Sequence, residues 1–270
     1  MTAREAESVR IDTSRPHPAR VYDWLLGGKD NYPVDEALAQ QILGVDANAA
    51  GTAKANRAFM HRATRWLAGT GISQYLDIGT GIPTEPNLHQ VAQGIAPAAR
   101  IVYADNDPIV LRHAEALLRS APEGTTDYIQ ADVRDPGLLT ELAGRVLDLS
   151  RPVALSLIGL LHFVPDEDDA YGLVRSLLDA LAPGSHLVLS HVTGDFDPAS
   201  AERVVALYGK GGVALRPRTR AEVAVFFDGL ELVDPGLTPA PHWHPELGDG
   251  RPDAPGREPV PVYAAVARKP

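Results

Sequence analysis

Tyr75-Leu76-Asp77-Ile78-Gly79-Thr80-Gly81-Ile82-Pro83-Thr84 reads as a short apolar strand that runs into an Asp-x-Gly-x-Gly turn and the start of a helix. A strand buried on both faces of a parallel sheet appears as a brief apolar run. The two glycines let the backbone turn tightly and approach a ligand without a Cβ in the way. This stretch therefore specifies a nucleoside-binding corner.

Downstream of it, apolar runs alternate with helical patterns, as a parallel sheet with crossover helices requires. Seven strands are expected: 75–78, 100–104, 127–130, 153–157, 187–191, 230–233 and 262–267. Upstream, Val21 to Leu26 ends in Gly27-Gly28 and reads as a short helix closed by glycine. Asp35 to Leu43 resumes a helical pattern, and Ala53 to Leu67 carries one apolar face at three- and four-residue spacings until Gly69 and Gly71 break it. Thr219-Arg220-Ala221-Glu222 fits a capping box. The first dozen residues are polar and expected to be mobile, and the Pro-, Gly- and His-rich stretch from Pro235 to Pro261 is expected to be an irregular surface excursion. The reading is an α/β, three-layer Rossmann-like fold, with residues 1–70 as an N-terminal helical cover and 71–270 as the ligand-binding core.

The bulk composition narrows the function. The 270 residues are 44% hydrophobic and 22% charged, ordinary for a folded chain. With 25 Lys+Arg against 35 Asp+Glu the net charge is -10, which weakens any case for a nucleic-acid partner held by phosphate neutralisation. The absence of cysteine excludes disulfides, thiolate metal sites and Cys nucleophiles. No signal-type apolar segment and no bilayer-length apolar run is visible, so a cytoplasmic protein without a membrane partner is expected.

Open α/β sheets bind ligands beyond the carboxyl ends of their strands, where an acid after the second strand can hold ribose hydroxyls. Asp105 closes Ile101-Val102-Tyr103-Ala104-Asp105, a position that suits a dinucleotide fold equally well. The glycine pattern discriminates, because the dinucleotide fingerprint wants a third glycine where Thr84 stands. A carboxylate at Asp77 repels a diphosphate, whereas it suits a ligand with an ammonium group, such as S-adenosylmethionine. Asp132 follows the third strand, where an acceptor can meet an adenine amino group.

These residues resemble the Rossmann-like S-adenosylmethionine-dependent methyltransferases. Pro16 to Asp23, Leu26-Gly27-Gly28-Lys29-Asp30-Asn31-Tyr32, Asn56-Arg57-Ala58-Phe59, Asp77 to Thr84 and Tyr103-Ala104-Asp105-Asn106-Asp107-Pro108 are more specifically similar to the actinobacterial S-adenosyl methyltransferase family long labelled a domain of unknown function. The resemblance runs from about residue 16 to the C-terminus. It implies that Asp77, Gly79 and Gly81, with Thr80 between them, flank the methionine moiety, Asp105 and Asn106 the ribose, and Asp132 and Val133 the adenine. In this class the last strand inserts antiparallel beside the sixth, which suits 262–267. The resemblance supplies no acceptor, for which a small molecule is expected.

Other candidates are weighed on chemistry. The Gly28, Asn31 and Tyr32 turn, with Tyr22, could form a lid that excludes water from the methyl-transfer site, or it could be only a helix stop and turn. His162, after the fourth strand, is the candidate general base, with a histidine satisfied by backbone groups as the plainer reading; His191 is a weaker candidate. His242-Trp243-His244-Pro245-Glu246 is read as a proline-rich loop in preference to a zinc site. A nicotinamide dehydrogenase and a non-catalytic cofactor-binding module are the two rival classes.

Overall fold

The computed structural model describes residues 12–117, 119–248 and 260–270, so the expectation for the chain's first eleven residues lies outside the described residues. The N-terminal segment forms helices α1 (Pro18–Leu26), α2 (Pro33–Val45) and α3 (Ala49–Gly69). His17 caps α1 by accepting the Ala19 N–H at its Nδ1, Pro18 supplies a preset first-turn φ, and Gly27 closes the helix in the left-handed region at φ 89°. The alternating core follows: β1 (Gln74–Ile78), α4 (Leu88–Gln93), β2 (Arg100–Asp105), α5 (Pro108–Leu117), β3 (Thr125–Gln130), α6 (Pro136–Ala143), β4 (Ala154–Ile158), α7 (Ala170–Asp179) and β5 (His186–Val192). The chain ends with α8 (Pro198–Lys210), α9 (Arg220–Ala224), β6 (Glu231–Leu232), β7 (Thr238–Pro239) and β8 (Val262–Arg268).

The strands form one sheet in the order β3-β2-β1-β4-β5-β8-β6, with β7 also paired to β8. The pairs from β3 to β5 are parallel, and β8 runs antiparallel to both β5 and β6. The sheet has eight strands; the additional one is the two-residue β7. The stretch at 230–233 pairs only through Glu231 and Leu232, both exposed at the sheet edge.

Side-chain alternation along the strands builds two cores. Leu76, Ile78, Leu155 and Leu157 face one side with α6, α7 and Phe226. Tyr75, Ile101, Tyr103 and Ala154 face the other, against Phe59, Met60, Ala63 and Leu67 of α3. Period two places Asp77 on the same side as Tyr75, toward α3. A third, smaller cluster joins the cover to α8 through Val21, Leu38, Ile42, Ala49 and Tyr208.

The described part of the Pro235–Pro261 stretch corrects the reading of it as a surface excursion. Trp243 is fully buried in the α3-side core, with its ring 5.5 Å from Phe59 edge to face. Arg62 Nε donates to the Trp243 carbonyl at 2.8 Å and Arg62 Nη2 to the Ala240 carbonyl at 2.7 Å, so α3 satisfies the loop's buried backbone oxygens. His244 binds Glu246 through Nδ1 at 2.5 Å and the Asp234 carbonyl through Nε2 at 2.8 Å, which engages both ring nitrogens within the loop. Among the described residues no helix is long and apolar enough to cross a membrane. Trp243→Ala is expected to cost about 3–5 kcal/mol, read as a lower urea midpoint at unchanged slope; an excursion lying loose on the surface would show within about 0.5 kcal/mol of no change.

Candidate active site

The glycine turn after β1 is held from β2. Gly79 N–H donates to the Ala104 carbonyl at 2.8 Å, and Gly81 N–H donates to Asp105 Oδ2 at 2.9 Å. Gly79 and Gly81 have φ of 72° and 66°, where a side chain strains the backbone. At Gly79 a Cβ would also lie 2.7 Å from Leu160 Cδ1. Asp105 Oδ1 accepts the Asp107 N–H at 2.9 Å. A carboxylate has roughly four acceptor positions, so Asp105 can hold the turn and still receive ligand hydroxyls. Burial raises its pKa to about 6 against the pull of those two N–H groups.

Asp77, at the carboxyl end of β1, is buried, and burial raises its pKa while the Ser156 and Thr80 hydroxyls and the Arg57 charge oppose the shift. Arg57 on α3 spends its own donors on the Thr84 and Pro86 carbonyls, the latter at 3.1 Å, bracing the segment after the glycine turn. Beyond β3, Asn106 Nδ2 donates to Asp132 Oδ2 at 2.8 Å. Burial works against the charge on Asp132, but the Arg134 N–H, the Asn106 amide and the Arg134 guanidinium outweigh it and hold the acid below its ordinary range. Arg134 Nε reaches Asp168 at 2.6 Å, so the loops after β3 and β4 are locked to each other.

The cover enters through Tyr22. Its hydroxyl donates to the Ala53 carbonyl at 2.9 Å and accepts from Asn56 Nδ2 at 3.1 Å. Asn56 Oδ1 accepts from Ser190 Oγ at 2.6 Å, and Ser190 Oγ accepts the Gly159 N–H at 2.9 Å. This chain links α1, α3, β5 and the turn after β4. Asn56, Arg57, Arg134 and Ser190 were not among the candidate site residues from sequence; the polar Asn56-Arg57 pair within the long helical stretch before the glycine turn was the available signal.

Tyr22, Asp77, Gly79, Thr80, Gly81, Asp105, Asn106, Asp132, Val133 and His162 all line one cavity of about 950 Å³. The structure does not bring Gly28, Asn31 and Tyr32 to that wall. Instead, Asn31 Nδ2 donates to Asp23 Oδ2 at 2.9 Å, and Gly28 lies so close to Asp23 that a Cβ there would sit 2.0 Å from its carboxylate. Tyr32 precedes α2 and lies under the Arg20 guanidinium, 5.4 Å from the ring centre. These three residues shape the α1–α2 turn, and a turn's sequence does not tell whether its side chains fold inward onto their own backbone.

His162 is buried, and burial, with His191 and Arg218 nearby, holds its pKa well below that of a free imidazole. His191 is also lowered, to about 3, mainly by burial. Its Nδ1 faces the Val192 carbonyl at 2.8 Å, so its Nε2 accepts from Arg218 at 2.9 Å. Arg218 is wholly buried and also donates to the Leu161 and Val164 carbonyls and, at 2.7 Å, to Asp166. His162 Nδ1 is sealed without a partner, which disfavours a proton on that atom and leaves Nε2 to meet a ligand.

A family profile described as S-adenosyl methyltransferase matches residues 4–270. The chain belongs to this family, and its methyl donor is S-adenosylmethionine. A protein of the DUF574 family from Streptomyces avermitilis has a crystal structure similar to it at a TM-score of 0.90 and 48% identity, covering 97% of this chain and 100% of that one. A second, from Thermobifida fusca and described as a candidate methyltransferase, matches at 0.85 and 38% identity, covering 96% of each chain. Both sources are actinobacterial. The plantazolicin methyltransferase BpumL, solved with a triazolic desmethyl analogue and S-adenosylhomocysteine, shares the fold at a TM-score of 0.53 and 13% identity, over 93% of this chain and 96% of that one. No curated protein matches.

The residues present fit the donor. Asp77, Asp105 and Asp132 line the wall around the glycine turn; Arg134 is shared between Asp132 and Asp168, while Asp77 and Asp105 have no cation within salt-bridge distance among the described residues. Such a wall favours a cation over a diphosphate. Because the raised pKa of Asp105 falls near neutrality, affinity should depend on pH. In the ligand-free protein the group's stabilising contribution is full below 3.8 and is lost as pH rises through about 6. Ribose hydroxyls need the ionised form, which at pH 5 is only about one-tenth populated for a pKa near 6. Calorimetric affinity for S-adenosylhomocysteine is expected to fall about tenfold from pH 7 to pH 5, and Asp105→Asn is expected to bind weakly with this dependence removed.

Proposed function

We propose that the protein transfers a methyl group to a small-molecule acceptor held beneath residues 1–70, which act as a cover over the catalytic edge of the 71–270 core. The observation that carries this is continuity: one cavity runs from the glycine turn and its acids, past Tyr22 and His162, into the apolar space between the cover and α8. Bound there, S-adenosylmethionine supplies a methyl carbon whose bond pair stays on sulfur as an acceptor lone pair takes its place.

The chain's part is alignment and exclusion of water. In this reading Asp77, Gly79, Thr80 and Gly81 hold the methionine end, Asp105 and Asn106 the ribose, and Asp132 and Val133 the adenine. The Tyr22-Asn56-Ser190 chain fixes the cover over the donor. Gly28, Asn31 and Tyr32 act indirectly, by setting the turn that delivers α1. A buried imidazole that resists protonation is a weak base, since general bases work best with a pKa near the operating pH. His162 is therefore assigned to orient the acceptor through Nε2, in place of proton abstraction. A cytoplasmic setting belongs to the same proposal.

Asp77 counts against a nicotinamide-dependent dehydrogenase, because a carboxylate beside the glycine turn would face a diphosphate, whereas Asp105 would suit either ligand. Titration calorimetry with S-adenosylhomocysteine is expected to give a saturable 1:1 isotherm, weakened at least about tenfold by Asp77→Asn, as loss of a hydrogen bond to a charged group implies. No heat at millimolar ligand overturns the proposal. For His162, histidine-selective NMR is expected to show a neutral ring at pH values where an exposed imidazole, of pKa about 6.5, is already protonated; a midpoint near neutrality would restore the role of base.

A further inference from the structure

The cavity has two chemically different ends. Its volume of about 950 Å³ lies at the top of the roughly 300–1,000 Å³ range of pockets for single drug-sized ligands. The acids around the glycine turn occupy one end only. At the other, Leu25, Val45, Phe163, Val204 and Leu215 form the wall. Four of these, all but Val45, pack against the cluster that joins cover to α8, yet each is only half-buried, because part of its surface faces the cavity. Apolar side chains left uncovered inside a molecule gain from an apolar occupant.

Charge then restricts that occupant. Among the described residues, six aspartates and two arginines line the whole cavity. Both arginines belong to the donor end: Arg57 gives Nη2 to the Thr84 and Pro86 carbonyls after the glycine turn, and Arg134 pairs with Asp132 and Asp168. At the apolar end, α2, its turn into α3, and the start of α8 contribute Asp46 and Asp197 and no basic side chain. Asp46, half-buried, accepts the Asn48 N–H at 2.9 Å, and Asp197, exposed with Arg203 near it, accepts the Ser200 N–H at 3.0 Å.

We infer that the methyl acceptor is a compact apolar molecule that is neutral or carries an amine, and that carboxylates and phosphate esters are excluded from this chamber. The inference rests on the methyltransferase reading above and names the acceptor class of the same site. A carboxylate entering the chamber would lose water with no cationic side chain on the chamber wall to pair it. An amine would meet Asp46 and Asp197 as counter-ions.

The test uses the full chain saturated with S-adenosylhomocysteine and three probes with one ring system: 1-naphthylmethylamine, 1-naphthalenemethanol and 1-naphthoate, followed by fluorescence. The amine and the alcohol are expected to bind, with naphthoate at least about tenfold weaker. In the double variant Asp46→Asn/Asp197→Asn, which keeps the side-chain oxygens for both N–H groups, the preference for amine over carboxylate should shrink to within about threefold. Val204→Glu should abolish binding of the neutral alcohol while S-adenosylhomocysteine still binds, which also shows that this variant is folded. Naphthoate binding as tightly as the amine, or no probe binding to protein that does bind S-adenosylhomocysteine, overturns the inference alone. Failure of S-adenosylhomocysteine itself to bind overturns the methyltransferase reading and this inference together.

Discussion

Asp105 does two jobs with one carboxylate, and the organisation of the cavity follows from that. One oxygen accepts from Gly81 and so sets the glycine turn; the other accepts from Asp107 and so sets the turn into α5. Asp107 continues outward, accepting the Ile109 N–H at 2.9 Å and lying 3.5 Å from Arg20 of α1. Arg20 also faces Asp35 at 3.5 Å, and Asp35 accepts the His17 and Tyr32 N–H groups at 2.8 and 2.9 Å. A relay of short acids thus joins Asp105 to the N-termini of both α1 and α2. Removing one partner of a buried pair leaves an uncompensated charge at a cost of about 3–5 kcal/mol, so the cover's position and the turn's shape are not independent.

The core was legible because its signals are local. Tyr75 to Thr84 carries the strand, the turn and the acid within ten residues, and Asp105 and Asp132 follow recognisable apolar runs. Thr219 and Glu222 form the capping box their spacing announced, with Thr219 N–H donating to Glu222 Oε2 at 2.7 Å. What was not legible depends on distance in the chain. Trp243 looks like loop because its neighbours are His and Pro, and only the approach of Arg62, 181 residues away, shows that its carbonyl is satisfied inside the core. Asn56 and Ser190 are separated by 134 residues and become one network only when α3 crosses β5. Asn31 and Gly28 read as lid residues because Asp23's inward fold is a matter of rotamer, which composition does not encode.

The histidines show how the same residue type divides by environment. His191 is fixed by the Val192 carbonyl on one side and the wholly buried Arg218 on the other, whereas His162 is held below its ordinary range first by burial, with His191 and Arg218 adding to it. Arg218 acts on His162 from behind, since it is absent from the cavity wall. Its three backbone and carboxylate acceptors hold the loop after β4, and with it His162, in place.

Acids with raised pKa values in a ligand-free cavity are a cost to the folded chain, since each carboxylate is buried without a cation in contact. A cationic donor relieves that cost on binding, and the relief appears as affinity. The arrangement is therefore least stable where it is most selective, as functional sites commonly are. It also accounts for the polar joint between cover and core. A joint sealed only by apolar area would pack without regard to what lies beneath it, whereas the Arg20, Asp35 and Asp107 contacts fix α1 relative to Asp105 by direction as well as by burial. The position of α1 and the shape of the glycine turn therefore rest on the same carboxylates, and a reaction that needs its reactants aligned and dry requires such fixed walls of its protein.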